Sequence, residues 1–305
     1  MVLDSDRKGA ALSAAEAAPQ QAELLASTLP PLLVEAERVA ATVWQGIHGR
    51  RRVGSGETFW QFRQHQPGDP SNRIDWRQSA KSQRVFVRDT EWEAAQSVWL
   101  WRDASGSMNY RSSAQLPSKL ERATLLLLAT ASLLVRGGQY VGVLERDRMP
   151  FTGRSALARL AETLCSGVRD KLPDGGVPAR TPIPQYARLV LVSDFLSPLE
   201  DIDRIVRSYS AYATQGHLLQ IMDPAEEQFP FTGRIEFHGF ENEPRVLLDR
   251  AQSMRSSYHE RLAAHRTGLV DVARASGWTF ASHCTNKRPE TPLMSLHGTL
   301  SHRAR

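Results

Sequence analysis

Short apolar segments alternate with helical segments from residue 97 onward, and this order constrains the fold more than any other feature of the chain. Val98–Trp101 and Leu189–Val192 are continuously apolar, as strands are when both faces of a parallel sheet are covered. The predicted strands are Val98–Asp103, Gln139–Leu144, Leu189–Val192, His217–Met222 and Trp278–His283, and the predicted helices are Lys119–Arg136, Ser155–Cys165, Asp201–Thr214 and Ala251–Ser276. The pattern therefore predicts an α/β domain with a doubly wound, mainly parallel sheet.

The rest of the chain divides into three further segments. Residues 1–45 form an N-terminal tail followed by an amphipathic helix, because apolar residues recur three and four positions apart after Pro30-Pro31. Residues 46–96 form a small β-rich insert with strands predicted at Glu57–Phe62 and Arg84–Arg88. The α/β domain then occupies 97–285, and 286–305 are predicted to be a C-terminal tail.

Length and composition favour a globular protein of a reducing compartment. The chain has 305 residues, of which 41% are hydrophobic, which is enough for a substantial core. Its two cysteines, Cys165 and Cys284, form no ligand pattern for zinc. The longest apolar stretch, Leu125–Val135, covers about eleven residues, whereas a membrane span needs roughly twenty. We therefore expect a cytoplasmic protein with no membrane span and no secretory signal.

Positive charge is concentrated in the insert. The chain has a net charge of +5, and the segment 50–88 contains nine basic and three acidic residues. Such a patch is compatible with nucleic acid, an anionic membrane or an acidic protein, and equally with a solvated surface that contains local ion pairs. The aromatic residues of the insert fit a stacking platform for single-stranded nucleic acid, but more often such residues form a core.

Oxygen-bearing side chains follow two of the predicted strands. Asp103 ends the first strand of the α/β domain, with Ser105 and Ser107 at alternate positions behind it, and Asp194 follows Leu189–Val192 and Ser193. Because the carboxyl ends of parallel strands lie at one edge of a sheet, we expect these side chains to converge. Carboxylates and hydroxyls are ligands for a magnesium-type ion. The alternative is that Asp103 and Ser105 only cap a turn and that Asp194 starts a helix.

These residues resemble a known family. The triplet Asp103-x-Ser105-x-Ser107, with Val192-Ser193-Asp194 after another strand, resembles the metal-ion-dependent adhesion site (MIDAS) of von Willebrand factor A domains. Upstream residues resemble the signature of the domain-of-unknown-function 58 family, bacterial proteins usually encoded beside a MoxR-type AAA+ ATPase. The signature positions are Gly68, Asp69, Arg73, Asp75, Trp76 and Arg77, and the likeness runs from about Gly46 to Cys284.

The resemblance implies a von Willebrand A-like sheet and a metal, Mg²⁺ or Mn²⁺, held by Asp103, Ser105, Ser107 and Asp194. A carboxylate from a partner would complete the coordination of the ion. One position departs from the family pattern, which often has a threonine after a Gly-Gly pair, since Gly175-Gly176 is followed here by Val177. Thr181, four residues further on, is a weak candidate for the missing ligand.

The resemblance and the ligand set together predict a protein-binding module rather than an enzyme. Its expected partners are a MoxR-type AAA+ ATPase and a client protein that is assembled or remodelled. The alternative is a metal-dependent phosphatase or hydrolase, although the chain has neither a Gly-x-Ser-x-Gly elbow nor a Gly-x-x-x-x-Gly-Lys-Ser/Thr loop. Nucleic-acid binding through 50–88 ranks third.

Overall fold

The structure is a computed structural model that describes residues 32–46, 59–64, 76–81, 85–90, 97–166, 176–212, 214–240 and 245–301. The chain divides into two compact units, one formed by Gly46–Ala95 and one formed by Met1–Gln45 together with Gln96–Arg305. Helix α1 (32–46) precedes the smaller unit in the chain.

The smaller unit contains a two-stranded antiparallel sheet. Strands β1 (Phe59–Gln64) and β2 (Phe86–Thr90) pair from Gln64 opposite Phe86 to Phe59 opposite Thr90. The short helix α2 (Trp76–Ser79) lies between them in the chain, and the Ser79 hydroxyl accepts a 2.8 Å hydrogen bond from the amide of Phe86. Both strands lie two residues later than the sequence pattern predicts.

The larger unit is built on a sheet of five parallel strands in the order β4-β3-β5-β6-β9. The strands are β3 (Ser97–Arg102), β4 (Tyr140–Val143), β5 (Arg188–Ser193), β6 (Gln215–Met222) and β9 (Thr279–Cys284). The helices are α3 (Lys119–Arg136), α4 (Arg154–Ser166), α5 (Leu199–Ser210), α6 (Pro224–Gln228), α7 (Arg255–Ala275) and α8 (Glu290–Ser301). The predicted mainly parallel α/β sheet is confirmed, and it is the type of sheet that the resemblance to von Willebrand A domains implies.

Alternate residues of β3 face two separate cores, as expected for a strand covered on both faces. Val98 and Leu100 pack in a core with residues of α1, α3, α4 and α8. Trp99 and Trp101 pack in a second core with residues of α5 and α7. The sheet is therefore doubly wound, with helices on both sides.

The elements that the sequence pattern does not predict include the short helices α2 and α6, the strands β7 (Ile235–Phe237) and β8 (Val246–Leu248), and the helix α8. Residues 286–305, predicted to be a tail, contain α8, whose Leu293, Leu296 and Leu300 are buried in the core around α3. Their spacing of three and four residues is that of an amphipathic helix, but it extends over little more than two turns. Strands β7 and β8 form a small antiparallel hairpin that lies between α6 and α7.

The strand order places a crevice at the carboxyl end of β3. The chain passes from β3 to β4 on one side and then returns to β5 on the other side of β3. The loops that follow β3 and β5 therefore run apart, which is the position where open α/β sheets bind ligands. No helix in the described part of the chain is both long enough and apolar enough to cross a membrane.

Candidate metal site at the carboxyl edge of the sheet

The structure brings Asp103 and Asp194 to the same edge of the sheet. Asp103 directly follows β3 and Asp194 directly follows β5, and these two strands are neighbours. The amide of Asp103 donates a 2.9 Å hydrogen bond to the carbonyl of Val192, and the hydroxyl of Ser193 donates a 2.6 Å hydrogen bond to Oδ2 of Asp103. Both aspartates are buried, at 2% and 3% exposure.

The two predicted serines lie against these carboxylates. Oδ1 of Asp103 accepts a 2.7 Å hydrogen bond from the amide of Ser105, which turns the chain into a short 3₁₀ helix at Gly106–Asn109. The hydroxyl oxygens of Ser105 and Ser107 are 3.2 Å apart. Ser107 Oγ donates a 2.6 Å hydrogen bond to Oδ2 of Asp194. All four side chains that the sequence singles out therefore form one connected cluster.

A simple capping role accounts for only part of this geometry. Asp103 does support the turn through the amide of Ser105, but Ser105 makes no capping hydrogen bond through its own side chain although it precedes the 3₁₀ helix. Asp194 does not start a helix, since α5 begins at Leu199. The hydroxyls of Ser105 and Ser107 lie beside the carboxylates of the cluster, in a position to serve as ligands of a cation.

The cluster has the chemistry of a site for a small hard cation. Adjacent ligands of an octahedral ion with bonds of 2.0–2.1 Å lie about 3 Å apart, and the oxygen separations of 3.2 and 2.6 Å in the cluster are close to that value. Within the described ranges, no group of three or more His, Cys, Asp and Glu side chains could hold a metal ion. An ion here would therefore need the hydroxyls of Ser105 and Ser107 as ligands in addition to carboxylate oxygen.

Thr181, the weak fifth candidate, is not brought to this cluster. Its amide bonds to the hydroxyl of Tyr209 at 3.1 Å and its own hydroxyl to the carbonyl of Ala179 at 3.3 Å. It lines a different cavity, together with Arg180, Tyr209 and Tyr212.

Ser197 lies closer to the cluster than Thr181 does. A Cβ atom added to Gly176, whose φ is +59°, would come within 2.6 Å of Ser197 Oγ and 3.4 Å of Asp103 Oδ2. The chain thus passes close to the cluster at Gly176, and a hydroxyl from the loop after β5 is its neighbour there. Sequence reasoning missed Ser197, although its position three residues after Asp194 is a usable signal.

Lys119 is the second residue that sequence reasoning missed. It is the first residue of α3, its side chain is fully buried at 0% exposure, and its Nζ bonds to Oδ2 of Asp194 at 2.9 Å and to Oε1 of Glu226 at 2.6 Å. Burial lowers the pKa of Lys119, but the charges of Asp194 and Glu226 outweigh burial, so its pKa lies above the ordinary value. The ammonium is therefore charged at neutral pH.

Burial acts on the carboxyl groups of the site in the opposite direction. It raises the pKa of Asp103, assisted by the negative charge of Asp194 and opposed by the hydrogen bonds from Ser193 and Ser105. It also raises the pKa of Glu226, opposed by Lys119. Negative charge is therefore costly at this edge of the sheet, and a cation lowers that cost.

A cavity of about 620 Å³ opens beside the cluster. Ser105, Ser107 and Asp194 form one wall, and Glu226 forms part of another. Aromatic rings and further residues, among them Ser197, Asp201 and His238, complete the lining. The rings belong to Tyr110, Phe229, Phe231, Phe237, Phe240 and Tyr258. Several of these rings pack against each other, such as Phe229 with Tyr258 at a centroid distance of 4.7 Å. The volume is in the range typical of ligand pockets.

The segment after β7 directly contacts the loop that follows β3 and carries Ser105 and Ser107, which we call the serine loop. A Cβ atom added to Gly106 would lie 2.9 Å from the carbonyl oxygen of Phe240 and 3.0 Å from its Cβ. Glycine at this position therefore allows the two backbones to approach each other. Phe240 itself is 56% exposed, so the cavity reaches the surface beside this ring.

Most of the family-signature positions lie outside the described residues, among them Gly68, Asp69, Arg73 and Asp75. Trp76 and Arg77 belong to α2, and Arg77 is exposed. Much of the basic segment 50–88 is likewise outside the described residues, so its proposed contact with nucleic acid stays a prediction.

The fold and the site define an α/β protein with a candidate cation site at the switch point of a parallel sheet. The chain belongs to the family "Protein of unknown function DUF58", whose model matches residues 61–268. The predicted family is thereby confirmed.

The chain is similar to proteins of mycobacteria. An uncharacterised protein of Mycobacterium bovis and one of Mycobacterium tuberculosis are each 25% identical to it over 277 residues, which is 86% of this chain and 86% of theirs.

Among solved structures, the chain matches BatB from Bacteroides thetaiotaomicron at 15% identity, with 68% of this chain and 98% of that one covered and a TM-score of 0.36. An aerotolerance-related membrane protein from Bacteroides fragilis matches at 17% identity, 67% and 97% coverage and a TM-score of 0.37. The VWA domain of SpRpn10 matches at 11% identity, 66% and 95% coverage and a TM-score of 0.34.

Proposed function

We propose that this protein is a binding module in which a divalent cation, Mg²⁺ or Mn²⁺, binds an acidic side chain of another protein. Ser105, Ser107 and Asp194 would hold the ion, and Asp103 would orient the serine loop. The observation that supports this most is the convergence of two hydroxyls and a carboxylate, 3.2 and 2.6 Å apart, on the wall of the cavity.

The cavity gives a partner's side chain a route to the ion. Aromatic rings line part of the cavity and make its surroundings less polar than bulk water, and an interaction between a cation and a carboxylate is stronger in such surroundings. When bound, the ion would supply a positive charge with an open coordination position. Phe240 and its neighbours would contact the apolar part of the incoming segment.

The proposed partners are a MoxR-type AAA+ ATPase and a client protein, in the cytoplasm. Membership of the family supports this, because the genes of such proteins are usually found beside a gene for a MoxR-type ATPase. The protein would then present a client to the ATPase, or hold the ATPase on a client.

The site is better suited to binding than to hydrolysis. Oδ2 of Asp194, which accepts the hydrogen bond from Ser107, also accepts one from the ammonium of Lys119. The ammonium of Lys119 is a charged donor that already occupies this oxygen, so Asp194 is poorly placed to take the proton of the Ser107 hydroxyl and make it a nucleophile. This favours the binding module over the phosphatase or hydrolase alternative.

Metal binding is tested by calorimetric titration of the purified chain with Mn²⁺ and Mg²⁺. We expect one site per chain, and loss of that site in the double variant Ser105→Ala/Ser107→Ala. Ser253→Ala, which removes an exposed hydroxyl bonded to the carbonyl of Arg250, is the matched control and should bind as the wild type does. Equal binding by the double variant and the wild type would contradict the proposed site.

The partner is tested by co-purification with a MoxR-type AAA+ ATPase from the same organism. We expect association in Mg²⁺ that is lost in excess EDTA and in Asp103→Ala. Asp271→Ala changes an exposed aspartate on α7 and should leave the association intact. An association that is indifferent to metal would show that the surface used lies elsewhere.

A further inference from the structure

The buried ion pair of Lys119 reaches from the candidate metal site to the cavity. Its Nζ contacts Asp194 at 2.9 Å, which belongs to the metal cluster, and Glu226 at 2.6 Å, which lines the cavity. The ammonium and the Ser107 hydroxyl share a single oxygen atom, Oδ2 of Asp194. The positive charge of Lys119 therefore lies directly beside the position that a bound cation would occupy.

Lys119 and Glu226 are both held in position, because each lies in the first turn of a helix. Lys119 follows Ser118, which caps α3 in a box with Glu121, and the amide of Lys119 donates to the carbonyl of Tyr110. Glu226 accepts a 2.9 Å hydrogen bond from the amide of Asp223 through its other oxygen, in the capping box of α6. The ammonium is thus held in place rather than free to turn to solvent.

Side chains of both charges meet between the metal cluster and the cavity. The carboxyl groups of Asp103, Asp194 and Glu226 meet here, and the ammonium of Lys119 lies between two of them, Asp194 and Glu226. Without a metal, Lys119 neutralises part of a buried acidic cluster, which would be costly if left unpaired. With a metal, two cations share the carboxylate of Asp194 and repel each other.

We propose that Lys119 is a positioning residue that stabilises the metal-free site and weakens its affinity for the divalent cation. It does so by serving as a permanent counter-ion of Asp194 and Glu226. Binding of the metal then remains reversible, and the partner's carboxylate supplies the additional negative charge that retains the ion. This inference rests on the proposed function, since it concerns the same cation site.

Lys119→Met tests it, because methionine has a similar length and carries no charge. We expect Mn²⁺ to bind at least about tenfold more tightly to this variant, since a unit charge beside a divalent ion is removed. We also expect its thermal midpoint without metal to fall below that of the wild type. The Mn²⁺ affinity should therefore rise while the thermal midpoint falls. A purely structural role of Lys119 would lower both stability and metal affinity.

Arg122→Met is the matched control. Arg122 is a buried cation on the same helix, at 9% exposure, but it bonds to the carbonyl of Thr285 and not to the cluster. We expect its metal affinity to equal that of the wild type. If Lys119→Met does not fold, Lys119→Gln supplies the test, because its amide can still donate hydrogen bonds in this position but carries no charge, and it should also tighten Mn²⁺ binding.

The outcomes separate this inference from the proposed function. Unchanged or weaker metal binding in Lys119→Met, with binding by the wild type that requires Ser105 and Ser107, overturns the role of Lys119 and leaves the proposed function standing. Binding by Lys119→Met but not by the wild type supports the role of Lys119 and contradicts the proposed function. Absence of binding in both overturns both.

Discussion

The hydroxyl of Ser193 lies 2.6 Å from Oδ2 of Asp103 and donates a hydrogen bond to it, which joins the last residue of β5 to the first residue after β3. Oγ of Ser193 also accepts a 2.9 Å hydrogen bond from the amide of Phe195. Ser193 is fully buried, at 0% exposure. One hydroxyl therefore satisfies a buried carboxylate on one strand and a buried amide on its neighbour.

Ser193→Ala is expected to lower the free energy of unfolding by about 1–3 kcal/mol, because it leaves both of these buried groups without their partner. Unfolding in urea at pH 7 measures the change. Ser257→Ala, which removes an exposed hydroxyl bonded to the carbonyl of Met254, should change the stability by less than about 0.5 kcal/mol. A difference of that small size in Ser193→Ala would mean that its hydrogen bonds contribute little.

Gly106→Ala is expected to weaken metal binding without removing a ligand. The new Cβ would lie 2.9 Å from the carbonyl oxygen of Phe240, so either the serine loop or the hairpin segment must move. Overpacking of this kind typically costs about 1–3 kcal/mol, which corresponds to a loss of Mn²⁺ affinity of roughly 5- to 150-fold if the serine loop moves.

Calorimetric titration with Mn²⁺ compares Gly106→Ala with Gly298→Ala, where a Cβ atom meets nothing within 4 Å. The control should bind Mn²⁺ as the wild type does. If Gly106→Ala binds Mn²⁺ as tightly as the wild type does, only the segment that contains Phe240 has moved and the serine loop has not.

No turnover of p-nitrophenyl phosphate is expected in the presence of Mn²⁺. The carboxylate beside Ser107 is paired with the ammonium of Lys119, at 2.9 Å from Nζ to Oδ2 of Asp194, and therefore activates the hydroxyl poorly. Release of p-nitrophenol is followed for the wild type and Asp194→Ala at equal concentration. Hydrolysis that disappears in Asp194→Ala would favour the phosphatase alternative.

The sequence predicts the part of this molecule that depends on order along the chain. Continuous apolar strands separated by helices indicate a parallel sheet, and a parallel sheet places residues that follow neighbouring strands at one edge. Asp103 and Asp194 could therefore be paired before any coordinates were known. The serines follow from their alternate spacing behind Asp103.

The parts that the sequence does not predict depend on contacts between distant segments. Lys119 begins a helix in the sequence, where lysine is ordinarily solvated, and only the fold places Asp194 and Glu226 around its Nζ. The cavity combines rings from the loop after β3, from the hairpin and from α7. For Thr181 the sequence suggests a contact that the fold does not form. The residue is close in sequence to Gly176, but it does not lie at the cluster.

Two buried histidines predict how stability depends on pH. His217 in β6 and His283 in β9 are 6% and 4% exposed. Burial lowers the pKa of each from 6.5 to about 4, assisted by Arg188 for His217 and by Arg122 and Lys287 for His283. Because the folded pKa lies below the unfolded pKa, the unfolded chain binds more protons between these values. The histidines therefore favour the folded state above pH 6.5 and lose that contribution as the pH falls toward 4.

The expected loss is about 2 kcal/mol for each histidine between pH 7 and pH 4.5. Asp103 and Glu226, whose pKa values are raised, act in the opposite direction, because the folded chain then binds protons more readily than the unfolded chain. The histidine contribution is therefore measured as a difference between variants: urea unfolding at the two pH values for the wild type and for His283→Gln, with the exposed His259→Gln as control. The pH dependence should be smaller in His283→Gln by about 2 kcal/mol and unchanged in the control; equal pH dependence in all three proteins would show that the buried imidazole of His283 does not resist protonation in the folded chain.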